Sequence, residues 1–285
     1  MINRIKETAA ALSIGAVGVC EARIYSELKS KLKDKTPMVP DNIEERINPF
    51  LLMPSAKSII VCLFPYYNGG EKSNLSLYAR GEDYHKVAEK KLNAIADILD
   101  ENGFSARTFC DTGVLCDRHL AYLAGLGFIG KNRFLINDEY GSYTFIGYIL
   151  TDAELVADAP LDKACISCGK CITACPGGAL TENGLDSEKC VSYITQKKGE
   201  LSSSEEEIVR KSGSVWGCDI CQTVCPHNNG VKLTEIAEFR TNLIEKLDSD
   251  MAESNREFKK KYQDRAFSWR GYEIIKRNLK ITEED

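Results

Sequence analysis

Cysteines carry the most informative chemistry in the sequence. The run CISCGKCITACP, which ends in Cys-Pro, has the spacing C-x2-C-x2-C-x3-C that is typical of bacterial ferredoxins. In such a run, three thiolates converge on the irons of one 4Fe-4S cubane, and the fourth, after three residues, ligates a neighbouring cluster. The run consists of Cys165, Cys168, Cys171 and Cys175.

A second run downstream supplies the missing ligands. WGCDICQTVCPHN contributes three cysteines and again ends in Cys-Pro, and Cys190 in EKCVSYIT completes the set. The eight residues then divide as in two-cluster ferredoxins. The first cluster is predicted to use Cys165, Cys168, Cys171 and Cys225, and the second Cys175, Cys190, Cys218 and Cys221. Two such clusters lie within electron-tunnelling reach, so the segment predicts an electron relay. One cluster plus a zinc site is the alternative.

Composition limits the remaining possibilities. The 285 residues carry a net charge of -5 and are 43% hydrophobic, which gives no global sign of nucleic-acid binding. The chain shows neither a secretory signal nor a run of eighteen apolar residues, so we expect a cytoplasmic protein without a membrane span. Twelve cysteines in such a protein favour metal binding over disulfides. Packing roles are predicted for Cys20, Cys62, Cys110 and Cys116.

The regions around the cysteine runs predict an α+β fold. SIIVCLF (58–64) and YTFIGYILT (143–151) are typical of strands. Residues 1–19 are predicted to form a helix followed by the first strand. A long helix is predicted over 82–103 and a shorter one from RHLAYLAGLG, ending at Gly125. The polar stretch KKGELSSSEEEIVRKSG is predicted to be a surface loop with one or two helical turns. The long helix presents one apolar face, formed by Ala88, Leu92, Ile95 and Leu99.

Two polar stretches precede the cysteine runs. In FCDTGVLCDRHLAYLAGLGFIGKN, Asp111 and Asp117 are either acids at a helix N-terminus or catalytic groups. The glycines before Lys131 follow a helix, so they do not match the dinucleotide-binding order. In YARGEDYHKV, Asp83 suits a helix cap and His85 a structural role.

The C-terminal segment 256–280 differs from the rest of the chain. It holds nine Lys or Arg residues against three Asp or Glu residues, with aromatic residues interleaved. Such a segment either grips a phosphate backbone or forms a solvated helix face with its aromatics packed inward. Composition alone favours the second interpretation. The aromatic residues are Tyr262, Phe267, Trp269 and Tyr272.

Taken together, these motifs resemble the epoxyqueuosine reductase family. The matching blocks are YARGEDYHK, CDTGVLCDRHLAYLAGLGFIGKN, CISCGKCITACPGGAL, KCVSYIT and WGCDICQTVCPHN, in that order, over roughly residues 10–280. The resemblance implies a nitroreductase-like, cobalamin-binding α/β domain (1–155) and a ferredoxin-like module (156–232). A basic helical tail (233–285) follows, in a short form without the helical-repeat domain of many members. Reductive dehalogenases share this cofactor arrangement.

The resemblance also implies a reaction and its residues. In that family, two 4Fe-4S clusters pass electrons to cobalamin, and epoxyqueuosine at the tRNA wobble position becomes queuosine with release of water. Asp111 matches the position of the acid that protonates the epoxide oxygen, and to hold a proton near neutral pH its pKa must be raised by burial or by the surroundings of the cofactor. Asp117 is the second choice. Cofactor contacts are predicted for Lys131, Thr195, Ser214, His227 and Asn228. No histidine stands in a D-x-H-x-x-G motif, which suits a base-off cofactor.

Expected partners follow from the same resemblance. They are a tRNA with a queuosine-type anticodon and a low-potential electron donor, and we expect a monomeric enzyme. Two alternatives stay open. One is a cobalamin-dependent reductase of a small molecule, similar to a dehalogenase. The other is a non-catalytic iron–sulfur electron carrier that serves a corrinoid enzyme.

Overall fold

The computed structural model describes residues 1–32, 39–111 and 113–283, so Thr112 of the DTG motif lies outside the described residues. The strands are β1 (Ala16–Glu21), β2 (Ser58–Pro65), β3 (Ala106–Cys110), β4 (Phe128–Ile129), β5 (Leu135–Ile136), β6 (Thr144–Thr151), β7 (Leu180–Thr181) and β8 (Gly184–Leu185). The α-helices are α1 (Ile2–Ala11), α2 (Ile43–Ile47), α3 (Tyr84–Glu101), α4 (Asp117–Leu123), α5 (Lys170–Thr173), α6 (Val191–Ile194), α7 (Ser203–Ser212), α8 (Ile220–Thr223), α9 (Asn255–Lys261) and α10 (Tyr272–Glu283).

One antiparallel sheet organises the N-terminal half. In the described part of the chain it has four strands in the order β1-β2-β6-β3. Strand β2 is buried along its whole length, and its side chains alternate between two hydrophobic clusters, one on each face of the sheet. A strand buried on both faces has a continuous apolar sequence, as SIIVCLF does. The predicted strands over 58–64 and 143–151 are confirmed.

Helix α3 covers one face of this sheet and begins at the candidate site. The Asp83 carboxylate accepts a hydrogen bond from the His85 amide, which caps the helix N-terminus. The four predicted apolar side chains of α3 are all fully buried. The helix ends at Asn102 and Gly103, where the chain takes a positive φ of 78°. The long helix is therefore where the apolar spacing predicts it.

Helix α4 covers the opposite face and ends before Gly125, as predicted. Gly125 has a φ of 69°, and a Cβ at this position would stand 2.6 Å from the Ala159 carbonyl oxygen. Only glycine combines this conformation with so close an approach of two backbones. The turn between α4 and β4 therefore explains one glycine of the GLG sequence.

The cysteine-rich segment uses little regular structure: the four-residue helices α5, α6 and α8 and the β7–β8 hairpin. The polar stretch between the two cysteine runs differs from prediction. It forms the ten-residue helix α7, nearly three turns instead of one or two. A capping box between Ser202 and Glu205 starts it, and Gly213 ends it. Buried Val209 supplies the inward face that the polar composition concealed.

The C-terminal segment packs on both preceding regions. Phe258, Phe267 and Tyr272 are buried in one cluster with Leu75 and Trp216. The aromatics of this segment therefore mostly point inward, as composition favoured. The predicted division at residues 155 and 232 stays a prediction. None of the helices in the described ranges is long and apolar enough to cross a membrane.

Candidate functional site

The first predicted ligand set surrounds a small cavity. Helix α5 begins after Gly169, whose φ of 73° turns the chain so that the preceding and following cysteines face the same space. Lys131 and His227 also line this cavity, and the Cys168 side chain is exposed at its edge. The four thiols here, called the first thiol set, belong to Cys165, Cys168, Cys171 and Cys225.

The other four cysteines, here called the second thiol set, are each partly buried. Cys175 and Cys190 lie close enough to Cys218 and Cys221 to raise the pKa of these two thiols through Coulombic repulsion. Burial is the larger effect, and together they raise the pKa of Cys218 to about 12. The second thiol set consists of Cys175, Cys190, Cys218 and Cys221.

The thiol chemistry of both sets suits 4Fe-4S cubanes, because such clusters are held by four thiolates each. A cubane spreads its thiolates over four irons, so its ligands need not converge on one point. Among the described residues, no three side chains of His, Cys, Asp or Glu are arranged to hold a single metal ion. The assignment of each cysteine to its cluster stays a prediction.

Polar side chains between these cysteines join the cysteine-rich segment to the sheet domain. Asp219 accepts hydrogen bonds from the Ser76 hydroxyl and, at 2.8 Å, from the Leu77 amide. Gln222 is 2% exposed, and its Nε2 donates to the Ser142 carbonyl at 2.9 Å. Asn228 accepts from the Ser142 amide at 2.8 Å. Residues interleaved with the second cysteine run therefore fix its orientation.

A charged group lies on the sheet-domain side. Strand β3 ends at Cys110, and Asp111 follows in a left-handed conformation with φ 57°. Its carboxylate accepts a hydrogen bond from the Tyr84 hydroxyl and lies 3.5 Å from His85 Nε2. The other ring nitrogen, His85 Nδ1, lies 2.7 Å from the Asp83 carboxylate. The Asp111 side chain is 59% exposed, so a ligand has access to it.

These contacts determine where a proton resides. Burial opposes charging of His85, but hydrogen bonds to Asp111 and Asp83 outweigh it and raise the pKa of His85 to about 9. The hydrogen bond with His85 lowers the pKa of Asp111, against the opposing effect of burial. Burial therefore does not raise the pKa of Asp111 here, and the alternative, that the surroundings of the cofactor raise it, stays a prediction. At neutral pH the proton of this pair belongs to His85, whereas burial does raise the pKa of Asp117.

Tyr78 connects the two sides. Its ring lies edge-on to Tyr84 with 6.3 Å between the centroids, and Asp111 is near enough to perturb its hydroxyl. The same hydroxyl interacts with the side chain of Ser192, which follows Cys190 by two residues. Tyr78 thus lies between the charged group and the chain segment that follows Cys190.

Comparisons with known proteins agree with this arrangement. Residues 46–112 match the family described as "Epoxyqueuosine reductase QueG, DUF1730", and residues 164–228 match the "4Fe-4S double cluster binding domain". Epoxyqueuosine reductase from Bacillus cereus is 37% identical over 291 residues, which cover 94% of this chain and 76% of that protein. The chain belongs to the epoxyqueuosine reductase family. The family member from Leadbetterella byssophila is 32% identical, with 99% of this chain and 98% of that protein covered.

Solved structures of epoxyqueuosine reductases share this fold. The enzyme from Streptococcus thermophilus superimposes with a TM-score of 0.87 at 30% identity, over 99% of this chain and 80% of its own. An epoxyqueuosine reductase solved with an epoxyqueuosine-modified tyrosine tRNA stem-loop gives a TM-score of 0.89 at 31% identity, with the same coverage. The mixed helix-and-sheet fold and the double-cluster domain are therefore those of the epoxyqueuosine reductase family.

The cofactor contacts predicted from the family do not gather at one place. Lys131 and His227 lie at the first thiol set, where Lys131 also pairs with Glu182. Thr195 is fully buried, and its hydroxyl accepts from the Gly217 amide. Ser214 and Asn228 are also engaged within the fold: the Ser214 amide donates to Ser212, and the Asn228 side chain bonds Ser142 and Gln222. Their contact with cobalamin stays a prediction.

Several residues of the site were missed or undervalued in the sequence. His85 was given a structural role, yet it is the charged partner of Asp111. Tyr84 was not singled out, although its hydroxyl holds the Asp111 carboxylate. The block YARGEDYHK contained the available signal, because it combines a tyrosine and a histidine with a helix-capping acid. Gln222 gave no signal beyond its place between two cysteines.

Proposed function

We propose that this chain reduces epoxyqueuosine in tRNA to queuosine. The reaction takes up two electrons and two protons, breaks both epoxide C–O bonds, forms a C=C bond between the two carbons and releases the oxygen as water. Membership of the epoxyqueuosine reductase family supports the proposal, as does a family structure that was solved with an epoxyqueuosine-modified tRNA stem-loop. The chain is accordingly an oxidoreductase.

The observation that carries the proposal is the charged pair of His85 and Asp111 beside the second thiol set. Epoxide opening leaves an alkoxide, which is a poor leaving group until it is protonated. General acid catalysis by a positioned group contributes about 10²–10⁴-fold to such steps. The pair therefore provides a proton next to a source of electrons, and the reduction of an epoxide requires both.

Each member of the pair has a separate task. His85 stores the proton, because its pKa of about 9 keeps the ring charged at neutral pH. Asp111 is the exposed group, so it receives the proton from His85 Nε2 and passes it to the epoxide oxygen. Tyr84 holds the carboxylate in place through its hydroxyl, and Asp83 fixes the ring through Nδ1. Asp111 thus remains the proposed catalytic acid, with its proton supplied by His85.

Electrons follow a direction that burial suggests. Cys168 of the first thiol set is exposed, whereas no cysteine of the second set is, and Cys190 of that set lies two residues from Ser192, which interacts with Tyr78. A low-potential donor therefore reduces the first cluster, and the second cluster passes electrons towards Asp111. In this proposal, the first cluster is held by Cys165, Cys168, Cys171 and Cys225, and the second by Cys175, Cys190, Cys218 and Cys221.

We place cobalamin on the exposed face next to Asp111, in a nitroreductase-like sheet domain. When bound, cobalamin supplies a strongly reducing metal centre that is able to open the epoxide. The family resemblance carries this part of the proposal, and the exposed Asp111 carboxylate leaves room for a ligand there. No residue is assigned as a ligand to cobalt.

The test is anaerobic reconstitution of the protein with iron, sulfide and cobalamin, followed by reductant and tRNA that carries epoxyqueuosine. Nucleoside mass spectrometry is expected to show the loss of one oxygen. The matched variant Asp111→Asn is expected to retain iron and cobalamin while kcat falls by about 10²–10⁴-fold. If the wild type binds cobalamin but does not convert the tRNA, the RNA substrate would be rejected and a small-molecule substrate favoured. If the protein does not bind cobalamin, the alternative function as a non-catalytic iron–sulfur electron carrier would be favoured.

A further inference from the structure

One aromatic side chain of the basic C-terminal segment differs from its neighbours. Tyr262, Phe267 and Tyr272 are buried at 5%, 0% and 7% exposure, whereas Trp269 is 53% exposed. The Arg270 guanidinium carbon lies 3.7 Å from the centre of the indole ring. A rigid indole supported on one side by a cation, and otherwise open, is a surface on which a planar ligand can stack.

The segment that carries this tryptophan contacts the start of α3, where the proton pair begins. The segment that carries it is fixed to the start of α3, because the Asp83 amide donates to the Asp264 carbonyl at 2.7 Å and Lys86 Nζ donates to Gln263 O at 3.2 Å. Asp83 is also the residue that holds His85. On the other side, Arg270 is close enough to Tyr193, in α6, to interact with it electrostatically. The segment therefore borders the space between the proton pair and the second thiol set.

The surrounding charge is strongly positive. Segment 256–280 has nine basic and three acidic residues, within a chain of net charge -5. Exposed lysines occupy the last turn of α9, and Lys259 Cε reaches within 3.9 Å of the Cβ position of Gly271, directly after Arg270. A cationic surface combined with an exposed aromatic ring is the combination that single-stranded nucleic acid selects.

We infer that Trp269, backed by Arg270 and flanked by Lys259 and Lys260, stacks on an unpaired base of the substrate RNA next to the nucleoside that enters the reaction site. The inference deepens the proposed function and rests on it, since the ligand is the single-stranded anticodon loop. Stacking needs no particular base, so this contact supplies affinity and orientation, while selection of the modified nucleoside occurs at Asp111.

The experiment measures binding alone, without turnover. A fluorescent, unmodified RNA stem-loop with an anticodon loop is titrated with the reconstituted protein, and anisotropy gives the Kd over a series of salt concentrations. Trp269→Ala is expected to raise the Kd about tenfold, and Trp269→Phe to recover most of the affinity. Replacing Lys259 and Lys260 together with alanine is expected to flatten the slope of log K against log salt by about 1.4.

The control is Arg4→Ala, which changes a basic residue that pairs with Glu101 at the far end of α3, about 27 Å from its start. It is expected to leave both Kd and slope unchanged. A Kd of Trp269→Ala within twofold of wild type, at equal iron content and circular dichroism, would overturn the inference, and so would a wild type that does not bind the RNA. Trp269-dependent binding without epoxyqueuosine conversion would sustain this surface and reject the proposed reaction instead.

Discussion

The two sides of the proposed reaction site are built in different ways. On the thiol side, short helices and tight turns hold eight cysteines, seven of them in two closely spaced runs, and each thiol set combines cysteines from both runs. On the proton side, a four-stranded sheet and the 18-residue helix α3 bring together Asp111 and His85 from separate elements. The thiol side is therefore recognisable from the local spacing within its cysteine runs, whereas the proton side has no such local pattern and appears only in the tertiary fold.

This difference shows how each side responds to change. A cysteine has one function, and its loss removes a whole cluster. On the proton side, the pKa of each charged group depends on its neighbours. A substitution there is therefore expected to change the pKa of the remaining groups more than it changes the fold. The contacts of Asp219, Gln222 and Asn228 hold the two sides together, and their loss is expected to alter alignment more than chemistry.

The largest effect is expected from Cys190→Ser. Without this thiolate the second cluster loses a ligand, so iron should fall from about eight to about four per chain and reduction of epoxyqueuosine should cease. Iron analysis and electron paramagnetic resonance of the reduced protein are the measurements. Cys116→Ser, at a partly buried cysteine outside both thiol sets, is the matched control and should retain about eight irons. Unchanged iron in Cys190→Ser would mean that another residue completes the second cluster.

The next effect is pH-dependent and tests the proton side. Because the pKa of His85 in the folded protein is raised to about 9 from an ordinary value near 6.5, the charged pair is present at neutral pH and is lost as the pH rises through about 9. We expect kcat to fall in the same range. His85→Gln is expected to lower kcat by about 10²-fold or more and to abolish this alkaline limb. If kcat of the variant still fell over the same alkaline pH range, the fall would have to be assigned to a group other than His85.

The smallest effect tests the connection between the two sides. Gln222→Ala removes the donor to the Ser142 carbonyl and the Tyr66 hydroxyl, so the free energy of unfolding should fall by about 1–3 kcal/mol. The neighbouring exposed residue Thr223 provides the control, since Thr223→Ala should change stability by less than about 0.5 kcal/mol. Chemical denaturation of the anaerobic, cluster-loaded protein is the measurement. Equal stability of the two variants would show that Gln222 does not hold the cysteine-rich segment in place.

The two sides also differ in how far the sequence predicts them. The strands at 58–64 and 143–151 and the helix over 82–103 were predicted because apolar periodicity is a local signal. The thiol sets followed from spacing for the same reason. The pKa direction of Asp111 was not predicted, because His85 determines it and reaches Asp111 only through the packing of α3 on the sheet. Helix α7 was underestimated because its burial depends on α10, which lies far along the chain.

Trp269 illustrates the same limit at a single position. Composition treated four aromatics as equivalent, and the inward packing that it favoured holds for three of them. Which of the four stays exposed depends on how the C-terminal segment packs against Leu75 and Trp216, and no local pattern encodes that choice.

The interleaving of ligands and contact residues has a consequence for how this protein can vary. In CDICQTVCPHN, the cysteines serve the clusters, while Asp219, Gln222 and Asn228 serve the boundary with the sheet domain. One short peptide therefore contains both the cluster ligands and the residues that contact the sheet domain. A ferredoxin fused to this sheet domain would supply two clusters, but it would lack the residues that orient them relative to the sheet domain. Sequence changes in the double-cluster segment are thus constrained by the sheet-domain surface that it contacts, and the segment cannot be exchanged for another without changing that surface.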